Sequence, residues 1–220
     1  MKSGQTQKKG EVKMSRISNF DLVLERLHCC NDKCKSIVND RDIGIIPRWI
    51  GGELKSPDLV VVGLNPGRCD TTERFLYKEY IKNDAKLIVR FTNHCLLDPG
   101  YQKNNFLYKL VELFKDIFGE DAFMKKIYIT NLVKCESVIN GVVDIETQEH
   151  CYEKFLQKEI ELLQPKIILT LGNCVSEFFE RHGVHNTVKC PHPSARGRYA
   201  KFWNKESKER QRLVRTIKEN

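Results

Sequence analysis

Short, uniformly apolar runs separated by longer amphipathic stretches organise this chain. DLVVVGLNPG (58–67), KKIYITNLVKC (125–135) and KIILTLG (166–172) have no polar alternation, and each is followed closely by glycine or asparagine. Uniform apolarity predicts buried strands covered on both faces. Between them, NNFLYKLVELFKDIFGE (104–120), ETQEHCYEKFLQKEIELLQ (146–164) and NCVSEFFERHG (173–183) carry helical spacing, the second stopping before Pro165. A short strand and loop is expected over NTVKCPHPSARGRY (186–199), and a basic helix from Lys201 onward. NFDLVLERLHCC (19–30) suits a short helix capped by Asn19, and TTERFLYKEYIKNDAKLIVRF (71–91) is expected to be helical. The segment 31–57 has no clear period and reads as irregular chain in need of an external tie.

Strands alternating with helices predict an α/β fold, a three-layer α/β/α arrangement around a central, mostly parallel four-stranded sheet. The expected organisation is a disordered basic arm over 1–18 and a single domain over 19–220. In such sheets, sites form beyond the carboxyl ends of the strands. Three of those ends carry candidate groups: Asn65, Asn131 and the loop holding His192.

Charge and cysteine content sharpen the picture. A net charge of +8 over 220 residues points to an acidic partner, nucleic acid being the usual one. With no apolar leader and no apolar run near ~18 residues, no membrane span and a cytoplasmic location, cytosol or nucleoid, are expected. Nine cysteines in that setting read as reduced thiols, available for packing or for a metal. They fall in two groups, Cys29, Cys30 and Cys34 near one end, and Cys135 and Cys151 around the loop 136–150, which has no packing pattern of its own. Thiolates favour zinc or an iron–sulfur cluster, and His28 or His150 is placed to replace one ligand of a zinc site. Cys69, Cys95, Cys174 and Cys190 read as core or incidental thiols.

GLNPG after a strand, ITNLVKC with a second cysteine beyond a loop, QPKIILTLGN, and HPS occur here in one order. Together they resemble the uracil-DNA glycosylase superfamily, and the stretch 128–173 is especially similar to its iron–sulfur branch, family 4. The resemblance implies a DNA repair enzyme that hydrolyses the N-glycosidic bond of uracil or a related deaminated base and leaves an abasic site. The implied enzyme would be monofunctional, with DNA containing uracil or another damaged base as its partner, and a monomer is expected. It also implies a [4Fe–4S] cluster on Cys30, Cys34, Cys135 and Cys151, with Cys29 an alternative first ligand and zinc the alternative metal. His192 would donate to the pyrimidine O2, Asn131 would read the base edge, and Phe75 or Tyr77 would stack on it. Gly63 and Leu64 would line the base site, and Ser194, Arg196 and Arg198 would contact DNA.

Two departures stand out. The iron–sulfur branch usually carries glutamate where this chain has Asn65, and GxNPG instead resembles the mismatch-specific and single-strand-selective branches. There the asparagine positions the water that attacks the sugar. An amide can orient a water but cannot take its proton. Glu136-Ser137-Val138 also replaces the arginine and proline usual after Cys135. Two other readings compete: a non-catalytic iron–sulfur nucleic-acid-binding protein of the same fold, and a zinc-stabilised enzyme acting on free nucleotides.

Overall fold

The computed structural model describes residues 30–40, 42, 47–48, 51–52, 56–69, 71, 74–75, 105–120, 123–139 and 141–220. The strands are β1 (Ile37–Val38), β2 (Gly51–Gly52), β3 (Leu59–Gly63), β4 (Ile127–Asn131), β5 (Glu136–Ser137), β6 (Ile167–Leu171) and β7 (Thr187–Cys190). The α-helices are α1 (Asn105–Phe118), α2 (Ile145–Cys151), α3 (Gln157–Leu163), α4 (Asn173–Arg181) and α5 (Lys208–Lys218). The main sheet runs β2-β4-β3-β6-β7; its four longer strands are parallel, and the two-residue β2 adds an antiparallel edge. β1 and β5 form a separate antiparallel pair.

Every residue of β3, β4 and β6 is buried, as their unbroken apolar runs predict. Alternate residues face opposite layers. Leu59, Val61, Ile127, Ile129, Ile167 and Leu169 pack with Leu110, Phe114 and Ile117 of α1 and Leu213 and Ile217 of α5. Val60, Val62, Tyr128 and Ile168 pack instead with Phe155, Leu163, Val175, Phe178 and Phe179 from the segment α2–α4. These are the two helical layers expected.

The α2–α3 segment shows how one face is kept. Cys151, Phe155, Glu159 and Leu163 are all buried at four-residue intervals. In a regular helix of 3.6 residues per turn such a row drifts around the axis. A π-helical turn at Tyr152–Leu156 widens the spiral and holds the row toward the sheet. Under it, Glu159 pairs with Lys134 Nζ at 2.7 Å, both side chains almost wholly buried. Thr130 Oγ1 joins them, donating to Glu159 at 2.9 Å and accepting from Lys134 at 2.6 Å.

Three sequence expectations need correction. The segment after HPS is not plain loop: Gly197–Trp203 forms a 3-10 helix that buries Phe202 and Trp203. The C-terminal helix begins at Lys208 rather than Lys201, capped by Ser207, whose Oγ accepts from Arg210 N–H. The loop 136–150 also has local order of its own, by pairing and capping rather than apolar packing: β5 pairs with β1, Ile139 bridges Val142, and Asp144 caps α2 through Thr147 N–H, while Val138, Ile139 and Val142 stay exposed. The expected arm 1–18, the helix capped by Asn19, and His28, Cys29, Tyr77 and Cys95 lie outside the described residues; of 71–91, Thr71, Arg74 and Phe75 are helical.

Candidate active site

The strand β3 ends beside β4, with Gly63 opposite Asn131. The ladder continues one step beyond, Leu132 N–H donating to Gly63 O and Val133 N–H to Leu64 O, both at 2.8 Å. This holds the turn Gly63–Gly67 against the segment that follows β4. The Asn65 amide nitrogen donates to Pro66 O at 2.9 Å and to Ser137 Oγ at 3.2 Å. Both N–H groups are thereby engaged, which leaves Oδ1 as the acceptor for a water hydrogen. Ser137 Oγ is itself fixed by Gly141 N–H at 3.1 Å.

Glu136 anchors the rest of the turn. Its Oε2 accepts the Cys69 N–H at 2.8 Å and pairs with Arg48 Nη2 at 3.3 Å, with both charged side chains buried. Arg48 Nη2 in turn donates to Gly67 O, and Arg48 N–H to Lys134 O at 2.6 Å. The Asn65 turn is thus tied to residues 48, 136 and 137, none of them near it in sequence.

Asn131 is 4% exposed, and its Nδ2 has no hydrogen-bond partner among the described residues. A buried donor left unmatched costs about 1–3 kcal/mol, so it marks a place where a ligand acceptor belongs. Gly63 makes room for it: a Cβ there would sit 2.6 Å from Asn131 Oδ1. By strand parity Asn131 lies on the α1 side of the sheet, with Ile127 and Ile129.

His192 arrives on that side from β7. Gly172, at φ +87°, turns β6 into α4, and a Cβ on it would meet His192 Cβ at 3.6 Å. The histidine loop is held at four points. Ser194 N–H donates to His192 Nδ1 at 3.2 Å, and Ala195 N–H and Trp203 Nε1 donate to His192 O at 2.8 and 3.3 Å. Lys109 Nζ of α1 donates to Pro193 O at 2.7 Å. The Phe106 ring lies 5.2 Å from the imidazole, tilted by 40°. Burial pushes the imidazole pKa below its ordinary value. A neutral ring that accepts at Nδ1 carries its proton on Nε2, so His192 offers one N–H donor without a full charge.

These groups share the carboxyl edge of the sheet. β4 and β7 are three strand spacings apart, about 14 Å, with the Asn65 turn on β3 between them. The structure therefore brings Gly63, Leu64, Asn65, Asn131 and His192 to one edge. Phe75 is 59% exposed, while Ser194, Arg196 and Arg198 are all exposed at the rim. Ser194 acts on His192 through its backbone. Arg48, Glu136, Ser137, Phe106 and Lys109 were not singled out by sequence reasoning. For Glu136 and Ser137 a signal existed: they occupy the positions where the ITNLVKC resemblance breaks down.

The cysteines lie on the opposite face. Cys30, Cys135 and Cys151 belong to the α2–α4 layer, with half-buried Cys34 packed against them. The Cys135 thiol is pushed up by burial and then by the neighbouring Cys151, Cys30 and Cys34. Burial likewise raises Cys151 to about 11, opposed by the backbone N–H and charge of Lys134. Lys154 Nζ lies 3.7 Å from Cys30 Sγ. Among the described residues no three His, Cys, Asp or Glu side chains converge as ligands of a single ion. His150 is turned to Asp32 at 2.6 Å. Cys69 and Cys190 are buried and Cys174 is exposed, as core and incidental thiols should be.

Among the described residues no helix is long and apolar enough to cross a membrane. Among solved structures, the chain is similar to wild-type SMUG2 of Pedobacter heparinus, with 14% identity, a TM-score of 0.41, and coverage of 75% of this chain and 74% of that one. The family model for the uracil DNA glycosylase superfamily matches residues 51–218. That span runs from β2 through α5 and includes Asn65, Asn131 and His192, and the chain belongs to this superfamily.

Proposed function

We propose that this protein is a monofunctional DNA glycosylase that hydrolyses the N-glycosidic bond of uracil or a related deaminated base. The observation that carries the reading is the unmatched, buried Asn131 amide beside Gly63, on the edge shared with a neutral His192. Asn131 offers an acceptor for uracil N3–H and a donor for O4. Cytosine presents the reverse pattern and is rejected.

Bond breaking leaves an electron-poor sugar and a negative pyrimidine. The His192 Nε2–H stabilises the charge growing on O2. The Asn65 Oδ1 orients a water toward the sugar without deprotonating it. The proton leaves after the water has added, so no carboxylate is required at position 65. Folding fixes these groups in advance, which is the condition for such donors to be effective.

We extend the proposal to a [4Fe–4S] cluster on Cys30, Cys34, Cys135 and Cys151. Four mutually close thiols, N–H groups at Cys30 and Cys151, and the nearby Lys134 and Lys154 suit a cluster, whose ligands are spread more widely than those of one zinc ion. Bound there, it would clamp the segment 135–151 to residues 30–34. Brown protein on anaerobic purification, with broad visible absorption, is the expected outcome; a colourless zinc-containing protein would replace the cluster by zinc.

The activity is tested by incubating purified protein with uracil-containing DNA and cleaving abasic sites with alkali. Strand breaks are expected, with kcat about 10²–10³-fold lower in His192→Ala, the usual cost of one lost oxyanion donor. Binding with no breaks over uracil, hypoxanthine and xanthine would refute the glycosylase reading.

A further inference from the structure

We propose that a groove between β7, the Gly197–Trp203 3-10 helix and α5 holds a single-stranded stretch of the nucleic acid flanking the base under attack. This rests on the glycosylase reading for its place in the reaction, but not for its existence. The groove has a volume of about 640 Å³, and its lining includes Lys189, Pro191, Arg198, Tyr199, Arg212 and Leu213. Pro191 adjoins His192, so the groove opens at the rim of the candidate active site. β7 is the outermost strand of the main sheet on that side.

The cations here differ from their neighbours in sequence. Lys205 and Arg210 are held internally, by Glu112 at 2.5 Å and by Asp116 with Trp203 O. Lys189, Arg198, Lys201 and Arg212 also line the groove, and none has a carboxylate within salt-bridge distance among the described residues. Glu209 is the one acid in the lining, and its carboxylate accepts from Ser207 Oγ at 2.9 Å. Four cations against one occupied carboxylate suit a run of phosphates.

The rest of the lining selects the form of nucleic acid. Val188, Phe202 and Leu213 provide an apolar floor, and Tyr199 is 39% exposed. The Arg198 guanidinium lies 4.8 Å from the Tyr199 ring centroid and donates to its hydroxyl at 2.9 Å, and the exposed part of the ring lines the groove, where a base could stack. A duplex offers phosphates on its outside but hides its base faces. An unpaired strand offers both, and aromatic rings set in a basic groove bind it without regard to sequence. Extruding a base breaks pairing locally, and the groove would take up the released strand.

The test uses the full chain and fluorescein-labelled, uracil-free oligonucleotides, single-stranded and blunt duplex, with binding followed by anisotropy over a salt series. Lys189→Glu with Arg212→Glu should weaken single-strand binding at least about tenfold, and neutral Lys189→Ala with Arg212→Ala should flatten the slope of log K against log salt by about 1.4. Tyr199→Ala should cost about tenfold on single strands and much less on duplex. All three positions are exposed, and unchanged melting temperatures will exclude misfolding. Equal losses on duplex and single strand would overturn the single-strand assignment, and unchanged affinities would overturn the groove. Groove-dependent binding by a protein that releases no base would support the groove and count only against the glycosylase reading.

Discussion

The Asn65 wall and the His192 wall of the site are built in different ways. His192 hangs from regular structure: β7 brings it to the edge, beside the positive-φ turn at Gly172, and Lys109 and Trp203 hold its loop from helices packed on the same face. Asn65 hangs from a chain of polar contacts. Ser137 holds its amide, Glu136 holds Cys69, and Arg48 holds Gly67. A wall of packed helices fails gradually, because its energy is spread over many contacts. A wall tied through a buried ion pair is sensitive to a single substitution, because removing one partner weakens the hold on the other's buried charge.

The largest effect should follow from breaking that pair. Glu136→Ala removes the one carboxylate oxygen that both pairs with the buried Arg48 guanidinium and accepts the Cys69 N–H. Loss of one partner from a buried pair costs about 3–5 kcal/mol. For a protein of this length that corresponds to a fall in Tm of roughly 6–20 °C. Differential scanning calorimetry checks it; a change under 1 °C would mean that the pair is not what holds the Asn65 turn.

Ser137→Ala strikes the same wall more gently. It removes the acceptor that orients the Asn65 amide, worth about 0.5–1.5 kcal/mol. If Oδ1 positions the water, kcat should fall by about two- to tenfold with KM little changed. A double-mutant cycle separates positioning from general loosening. In an Asn65→Ala background the Ser137 change should cost nothing further. An equal loss in both backgrounds would make Ser137 purely structural.

The same contrast explains what could be read from sequence. The His192 wall was legible because regular elements announce themselves: uniform apolar runs gave β3, β4 and β6, and helical spacing gave α1. HPS then followed a strand that had to lie in the same sheet. Asn65 and Asn131 were legible as polar residues ending apolar runs. The contacts of Arg48, Glu136 and Ser137 were not, because one spanning 88 residues, as between Arg48 and Glu136, leaves no periodic trace; for Glu136 and Ser137 only the break in the family pattern marked the place. The 3-10 helix was missed for a related reason. Its buried Phe202 and Trp203 are adjacent, a spacing that suggests neither helix nor strand. The residues that broke the family pattern, Glu136 and Ser137, turned out to hold the residue that breaks it first, Asn65.

The smallest expected effect belongs to the His192 wall and is read against pH. Burial lowers the His192 pKa in the folded protein, whereas the unfolded chain keeps the ordinary imidazole value, about 6.5. Below that value the unfolded state takes up the proton first, so unfolding binds protons and stability falls as pH falls. The loss grows from about pH 6.5 down to the lowered folded pKa and then levels off; above pH 6.5 the residue contributes no pH dependence. His192→Gln removes this component while keeping an N–H donor. The wild-type protein should therefore lose more Tm than the variant between pH 7 and pH 5, the other histidines cancelling in the difference. Activity should follow the same sign, because protonation at Nδ1 breaks the bond from Ser194 N–H and loosens the donor. Parallel Tm curves for the two proteins would mean that the imidazole is not held neutral by burial, and the uncharged donor at this wall would then have to be abandoned.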